Sequence, residues 1–110
     1  MTDFIVVTTP TIAGYKIKKV LGIVTGLTPR TRGVGGGIKG AFQSLRGGEV
    51  TAFTYEIEKA RVQATERAIN KAKELGANAI IGMDLETSDI GQTNITLISA
   101  TGTAVIIEPE

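Results

Sequence analysis

One long amphipathic run, residues 51–75, constrains the fold of this chain more than any other stretch. Its apolar and small residues recur every three or four positions, which is the spacing of one face of an α-helix. They are Phe53, Ile57, Ala60, Ala64, Ala68, Ala72 and Leu75. Because most of these side chains are small, the helix axis can approach a sheet closely. The run therefore predicts one long helix packed on strands, which Gly76 is placed to end.

Four other segments predict β-strands from their β-branched and alternating residues. They are residues 4–9, 16–28, 77–86 and 94–108. The first is short enough to be an edge strand. The last is unusually long, so we expect it to bend at Gly102 or to extend beyond its own sheet.

The order of these elements predicts a two-layer α+β domain. We expect a mostly antiparallel sheet of three or four strands, packed by the long helix plus one short helix at 38–46, with a Gly47-Gly48 break between the two helices. With 110 residues and no internal repeat or linker, the chain is expected to form a single domain, 1–110.

The strands carry more apolar surface than one helix can cover. Residues 20–24, 79–81 and 104–107 offer apolar side chains to both faces of the sheet. Copies of the same chain would supply the missing cover, so this pattern predicts a homo-oligomer. The alternative is a monomer in which the segment 38–46 folds back over the second face.

The charges are divided along the chain although the net charge is only +1. Residues 1–48 hold seven basic side chains and one acidic one, whereas residues 49–110 hold five basic and ten acidic ones. Such a molecule can bind an anion, or it can associate head to tail with its own copies.

The composition excludes several classes of function. Without Cys or His there is no imidazole acid–base catalyst, no Cys-His or Ser-His nucleophile, and no thiolate or imidazole metal site. This favours a non-enzymatic protein with no cofactor, although an enzyme stays open. The near-neutral charge and scarce aromatics argue against nucleic acid binding. No membrane-spanning run or signal peptide is evident, so we expect a soluble cytoplasmic protein.

A glycine-rich basic segment at 29–48 is the first candidate binding site. Gly35, Gly37 and Gly40 match GxGxxG, but a dinucleotide fingerprint also needs an acidic residue about 20 positions later at the end of the next strand, and positions 55–58 lie inside the predicted helix. A broader anion site at a helix start is the better candidate. Its residues would be Arg30, Arg32, Gly35, Gly36, Gly37, Lys39 and Arg46. Alternatively, these cations pair with acids of a neighbouring subunit.

Two further candidate sites use carboxylates. Asp84, Glu86 and Asp89 surround the last predicted turn and could hold Mg²⁺ or Ca²⁺ through oxygen, or simply form a solvated rim. If the protein is an enzyme on an anionic substrate, Glu56 is a candidate base beside the cations of the glycine-rich segment.

Several blocks resemble the YbjQ-like family, which is often labelled heavy-metal-binding. They are Val-Val-Thr-Thr-Pro at 6–10, Leu-Gly-Ile-Val-Thr-Gly at 21–26, Leu-Gly-Ala-Asn-Ala-Ile-Ile-Gly-Met-Asp at 75–84 and Ser-Ala-Thr-Gly-Thr-Ala-Val at 99–105. The resemblance implies a dodecin-like subunit that assembles into a ring-shaped homopentamer of uncharacterised function. Soft metals, however, prefer thiolate or imidazole, and this chain has neither.

These observations predict a homo-oligomeric protein, pentameric by the resemblance, that acts as a binding or scaffold protein for a small ligand, with an anion as the candidate. The alternatives are a divalent-metal-binding protein that uses carboxylates, or an enzyme acting on an anionic substrate.

Overall fold

The computed structural model of the protein describes residues 3–31, 46–89 and 95–110. Along the chain these residues form β1 (Ile5–Val6), β2 (Tyr15–Thr31), α1 (Arg46–Glu74), β3 (Ala79–Asp89) and β4 (Ile95–Pro109). The predicted α+β class is therefore confirmed. Most of the predicted short helix at 38–46 lies outside the described residues. Within them, no helix is long and apolar enough to cross a membrane.

The long helix is longer than predicted. It begins at Arg46 and includes Gly47 and Gly48, so the expected Gly-Gly break is wrong. Glycine lowers helix propensity by about 1 kcal/mol per residue but keeps its amide donor, so it weakens a helix without blocking it. The predicted end is confirmed, because Gly76 follows the helix with a φ of 92°, in the left-handed region that glycine adopts without strain.

The sheet contains four strands in the order β1-β3-β4-β2. β4 pairs antiparallel with both β2 and β3, and β1 pairs parallel with β3. The prediction of a mostly antiparallel sheet with β1 at one edge is confirmed. β2 forms the opposite edge and pairs with β4 along all of β4, from Tyr15↔Pro109 to Thr31↔Ile95. The register irregularities fall in β2 and β3 and not at Gly102.

α1 covers one face of the sheet, which we call the helix face. Its alanine stripe is fully buried there, as predicted, against β2 and β4. The buried members are Val24, Ala60, Ala64, Ala68, Ala72, Ile80, Met83, Ile98, Ala100 and Ala104. This core is built from small side chains, so helix and sheet are held at short distance over a long contact.

The alternation of side chains between the two faces is interrupted in β3. Strict alternation would place Ile81 and Met83 on one face, but Met83 packs in the helix-face core whereas Ile81 packs on the other side. The cause is a bulge at Gly82, where the register shifts between Ile81 and Asp84 and φ is 63°. The Gly82 amide donates to the Thr9 carbonyl, so the N-terminal segment fixes the bulge.

The opposite side of the sheet, which we call the outer face, is covered only in part. At one end Ile5, Ile12 and Tyr15 pack with Ala79, Ile81, Val105 and Ile107 into a second, smaller cluster. Along β2, large apolar side chains stay exposed: Ile17, Val20, Ile23 and Leu27. The described residues thus leave a strip of apolar surface on this edge strand.

Candidate functional site

A cleft of about 510 Å³ lies between the N-terminal half of α1 and the adjacent ends of β3 and β4. We call it the helix–hairpin cleft. It is lined by Thr54, Ile57, Glu58 and Arg61 of α1, Thr87 and Asp89 of β3, and Thr96 of β4. Among the described residues, both signs of charge, three hydroxyls and one apolar side chain therefore face the same space.

The secondary structure explains why these side chains converge. Positions 54, 57, 58 and 61 follow one side of a helix, because residues three and four apart are neighbours on its surface. Thr87 and Asp89 are two residues apart on β3, so they share one face of the sheet. α1 lies mainly over β2 and β4 and touches β3 little. The uncovered end of β3 forms the second wall of the cleft.

The core becomes polar towards this end of the sheet. Thr28 and Thr96 are buried, at 0% and 2% exposure, where the middle of the helix face holds alanine and isoleucine. The Thr96 hydroxyl donates to the Asp89 carboxylate at 3.0 Å and so fixes one wall of the cleft. The Thr28 hydroxyl has no hydrogen-bond partner among the described residues.

Arg30 lies beside the cleft and is already engaged by its own chain. Its Nη2 donates to Gln63 Oε1 at 2.5 Å, and its Nε lies 3.8 Å from Glu56 Oε1. The guanidinium is held by α1, so it is not an uncommitted cation for an anion. The acid beside Arg30, Glu56, belongs to the same chain, because β2 continues through Arg30 and turns it to the helix face opposite Thr96.

The other predicted anion-binding residues cannot be placed in a site. Arg32, Gly35, Gly36, Gly37 and Lys39 lie outside the described residues. Arg46 is the first residue of α1. Arg30 is thus the one member of that set whose side-chain contacts are described, and those contacts are with α1.

The three predicted cation ligands do not lie on one side of the sheet. Asp84 and Glu86 pair with Thr101 and Ser99 on the outer face, whereas Asp89 pairs with Thr96 on the helix face. The strand continues without a break from position 84 to 89, so even and odd positions point apart. Within the described ranges no group of three Asp or Glu side chains could hold a metal ion.

A soft heavy metal does not fit the described residues either. The only sulfur donor among them is Met83, which is 5% exposed and packed in the helix-face core. Thiolate and imidazole are absent from the whole sequence. The donors that soft metals prefer are therefore not available.

The outer face offers a second candidate surface, for a protein partner. Ile23 is 77% exposed and Val20 61%, with Leu27 at 46% and Ile17 at 37%. Two basic side chains of α1 reach around the free edge of β2: Arg67 donates to the Leu27 carbonyl and Lys71 to the Thr25 carbonyl. These two carbonyls of β2 thus have hydrogen-bond donors, whereas the apolar side chains beside them stay exposed.

Among the described lining residues, sequence reasoning predicted only Asp89 as a site residue and missed the other six: Thr54, Ile57, Glu58, Arg61, Thr87 and Thr96. A signal for four of them was present, since Thr54, Ile57, Glu58 and Arg61 keep the i, i+3, i+4, i+7 spacing of one helix side. The contribution of β3 and β4 depends on the three-dimensional register, which the sequence does not give.

Comparisons with known proteins agree over nearly the whole chain. A family model described as "Putative heavy-metal-binding" (YbjQ) matches residues 4–108. A UPF0145 protein of Saccharolobus islandicus is 48% identical over 103 residues, covering 94% of this chain and 90% of that protein. A UPF0145 protein of Sulfurisphaera tokodaii is 44% identical over 106 residues, with 96% and 92% covered.

A solved structure shows a similar fold. It is a crystal structure of a protein with unknown function, of the DUF74 family, from Pediococcus pentosaceus. The TM-score is 0.63 and the identity 16%, with 96% of this chain and 98% of that chain covered. At this identity the likeness speaks for the fold alone.

Proposed function

This chain belongs to the YbjQ family of UPF0145 proteins, and from that membership and its two surfaces we propose that it is a homopentameric scaffold that presents sites for a small ligand. The outer face is the proposed contact between subunits. The helix–hairpin cleft is the proposed ligand site. We place the protein in the cytoplasm, which agrees with its lack of cysteine.

The exposed apolar strip of β2 is the observation that carries this proposal. Ile17, Val20, Ile23 and Leu27 form it on one edge strand. Complete burial of each such side chain is worth about 1.5–3 kcal/mol, so covering the strip is a substantial gain. Every copy of the chain carries the same strip, which makes a second copy a ready partner.

The shape of the subunit supports association too. Its radius of gyration is 17.4 Å, whereas a compact domain of this size has about 13 Å. A long, thin sheet covered by one helix leaves apolar surface exposed, so contacts with neighbouring subunits would stabilise it. The copy number of five and the ring arrangement come from the dodecin-like resemblance.

Ion pairing within the chain uses part of the divided charge. Lys16 Nζ lies 3.5 Å from Glu108 Oε2, and Lys18 Nζ lies 4.0 Å from the other oxygen of the same carboxylate. These pairs are exposed and contribute little to stability.

The nature of the ligand is the second part of the proposal. An anion bound at Arg30 is disfavoured, because Arg30 is engaged by Gln63 and Glu56. A carboxylate-bound divalent cation has no described trio of ligands. The cleft, which holds both signs of charge, is the better candidate site.

Native mass spectrometry of the purified full chain tests the assembly. We expect a mass of five 11.5-kDa subunits at micromolar concentration, with any retained ligand appearing as a further increment. A monomer mass at that concentration would falsify the proposal. Another copy number would keep self-association and reject the pentamer.

A further inference from the structure

The free edge of β2 carries carbonyl groups that accept hydrogen bonds from cationic side chains of α1. Lys71 Nζ donates to the Thr25 carbonyl at 2.8 Å, and Arg67 Nη1 donates to the Leu27 carbonyl. On its other side β2 pairs with β4, and in an antiparallel pair the N–H and C=O groups of alternate residues point to the same side. The carbonyls of residues 25 and 27 therefore point away from β4, along the free edge.

Pro29 is the next residue whose backbone faces this edge. Its carbonyl accepts a hydrogen bond from Arg30 Nη1 at 3.3 Å, and proline has no amide hydrogen to offer to another strand. Three successive carbonyls of the edge thus have a cationic donor from the same chain. A strand of another molecule that paired with this edge would have to displace these donors.

The spacing of the helix and the strand explains why the donors and carbonyls match. Arg67 and Lys71 are four residues apart on α1, which is a rise of about 6 Å. Thr25 and Leu27 are two residues apart on β2, which is about 6.6 Å. The helix lies close to the strand, because Gly26 leaves no room for a side chain between them. Both cations can therefore reach around the edge at successive carbonyls.

The other half of the same edge has an irregular backbone. Register shifts interrupt β2 between Ile17 and Lys19 and between Val20 and Gly22. Bulges and lysine side chains are features by which natural edge strands avoid pairing with other chains. The regular part of the edge, from Ile23 onward, is therefore the part on which an added strand could pair, and the cationic donors lie along it.

The sequence of β2 indicates which strand would add there. Residues 20–28 contain no charged residue and no proline, and five of the nine are β-branched. Identical segments of this composition tend to pair with each other in stacked sheets. Every copy of the chain carries this segment on an edge strand, so a second copy is the partner that fits the edge.

We propose that the β2 edge is a latent strand-binding surface for a second copy of this chain, and that Arg67 and Lys71 keep it closed. Their side chains occupy the carbonyls that the incoming strand would use. This inference goes beyond the proposed assembly and is independent of the copy number and of any ligand, because every donor and acceptor in the row belongs to one chain.

Fibre growth from the native protein tests this proposal. The double variant Arg67→Leu/Lys71→Met removes both donors and keeps long side chains of similar helix propensity. Agitated below its unfolding temperature, the variant should gain thioflavin T fluorescence at least about tenfold faster than the unchanged protein, because the edge carbonyls are then free to pair. An unchanged rate overturns the proposal.

Two matched variants separate the hydrogen bonds from the charge. Lys59→Met/Lys73→Met removes two positive charges from the same helix, as the first variant does, but among the described residues neither lysine donates to β2. It should leave the rate unchanged. Arg67→Lys/Lys71→Arg retains both donors and should also behave like the unchanged protein. Growth of either control as fast as that of the donor-free variant rejects the proposed closure.

Amide exchange of the fibres locates the pairing. New protection should appear at residues 23–27, and protection that excludes them overturns the assigned edge. Circular dichroism before agitation shows whether each variant is folded. If the double variant is not, Lys71→Met against Lys59→Met gives the same comparison at exposed positions.

Native mass spectra of the unchanged protein keep this proposal distinct from the proposed assembly. A pentamer whose fibre growth does not depend on the two donors rejects only the closed edge. A monomer whose fibre growth does depend on them rejects only the pentamer.

Discussion

Gly26 of β2 lies directly against the backbone of Ala64 on α1, with no room for a side chain between them. A Cβ at position 26 would meet the Ala64 carbonyl group and would lie 2.6 Å from the amide nitrogen of Ala68. Both neighbours are main-chain atoms, which cannot move aside by rotating a side chain. The contact sets the distance between the helix and the sheet along the whole alanine stripe.

Gly26→Ala should therefore destabilise the protein by about 3 kcal/mol, because the helix must lift from the sheet to admit one methyl group. Urea unfolding at a fixed protein concentration measures this change. Gly22→Ala is the control on the same strand: nothing lies within 4 Å of its Cβ, and only its φ of 141° is unfavourable. We expect a cost of about 1 kcal/mol there. Equal costs at the two positions would show that the close approach is not limiting.

The alanine stripe shows which parts of this fold a sequence can predict. A helix face of Ala60, Ala64, Ala68 and Ala72 predicts close packing on a sheet whatever the details of that sheet, and all four are fully buried. The helix end at Gly76 could be predicted too, because helices commonly end at a glycine in the left-handed conformation. These features depend on local sequence alone.

The predictions fail where contacts between strands that are distant in the sequence override a local sequence pattern. The strand predicted at 16–28 continues to Thr31, because β2 is an edge strand, in which Pro29, a residue without an amide hydrogen, is tolerated. That continuation turns Arg30 towards Gln63. The bulge at Gly82 likewise needs the Thr9 carbonyl, 73 positions away in the sequence, which no local pattern reveals.

Asn78 provides a second prediction, because its side chain makes the two hydrogen bonds to the Ile107 backbone that a paired strand would otherwise make. Its Nδ2 donates to the Ile107 carbonyl at 2.9 Å, and its Oδ1 accepts from the Ile107 amide at 2.7 Å. Asn78→Ala leaves both groups of Ile107 unpaired at a partly buried position and should cost about 2 kcal/mol. Urea unfolding checks it, with Asn70→Ala on the exposed side of α1 as control.

The control should change stability by no more than about 0.5 kcal/mol, in the stabilising direction, since alanine is the better helix former. A cost below about 0.5 kcal/mol for Asn78→Ala would mean that water replaces both hydrogen bonds.

Arg30 gives a third prediction, about which of its partners matters more. Gln63 accepts a direct hydrogen bond, whereas Glu56 lies 3.8 Å away and its side chain is 52% exposed. A double-mutant cycle with Arg30→Met should give a coupling of about 1–2 kcal/mol to Gln63→Leu and below about 0.5 kcal/mol to Glu56→Gln. Stronger coupling to Glu56 would identify a salt bridge as the anchor and contradict the geometry.

The exposed strip of β2 carries the fourth prediction. Ile23 is the most exposed of its large apolar residues, at 77%, and it points to the outer face opposite Thr103. If sister subunits cover this face, Ile23→Lys places an unpaired charge in the contact, at a cost of several kcal/mol, and should reduce the native mass to that of a monomer. Val62→Lys is the matched control, because Val62 is a large apolar residue of α1 with 58% exposure and no place on the outer face. Light scattering at equal concentrations compares the two. Loss of assembly in both variants, or in neither, would place the subunit contact elsewhere.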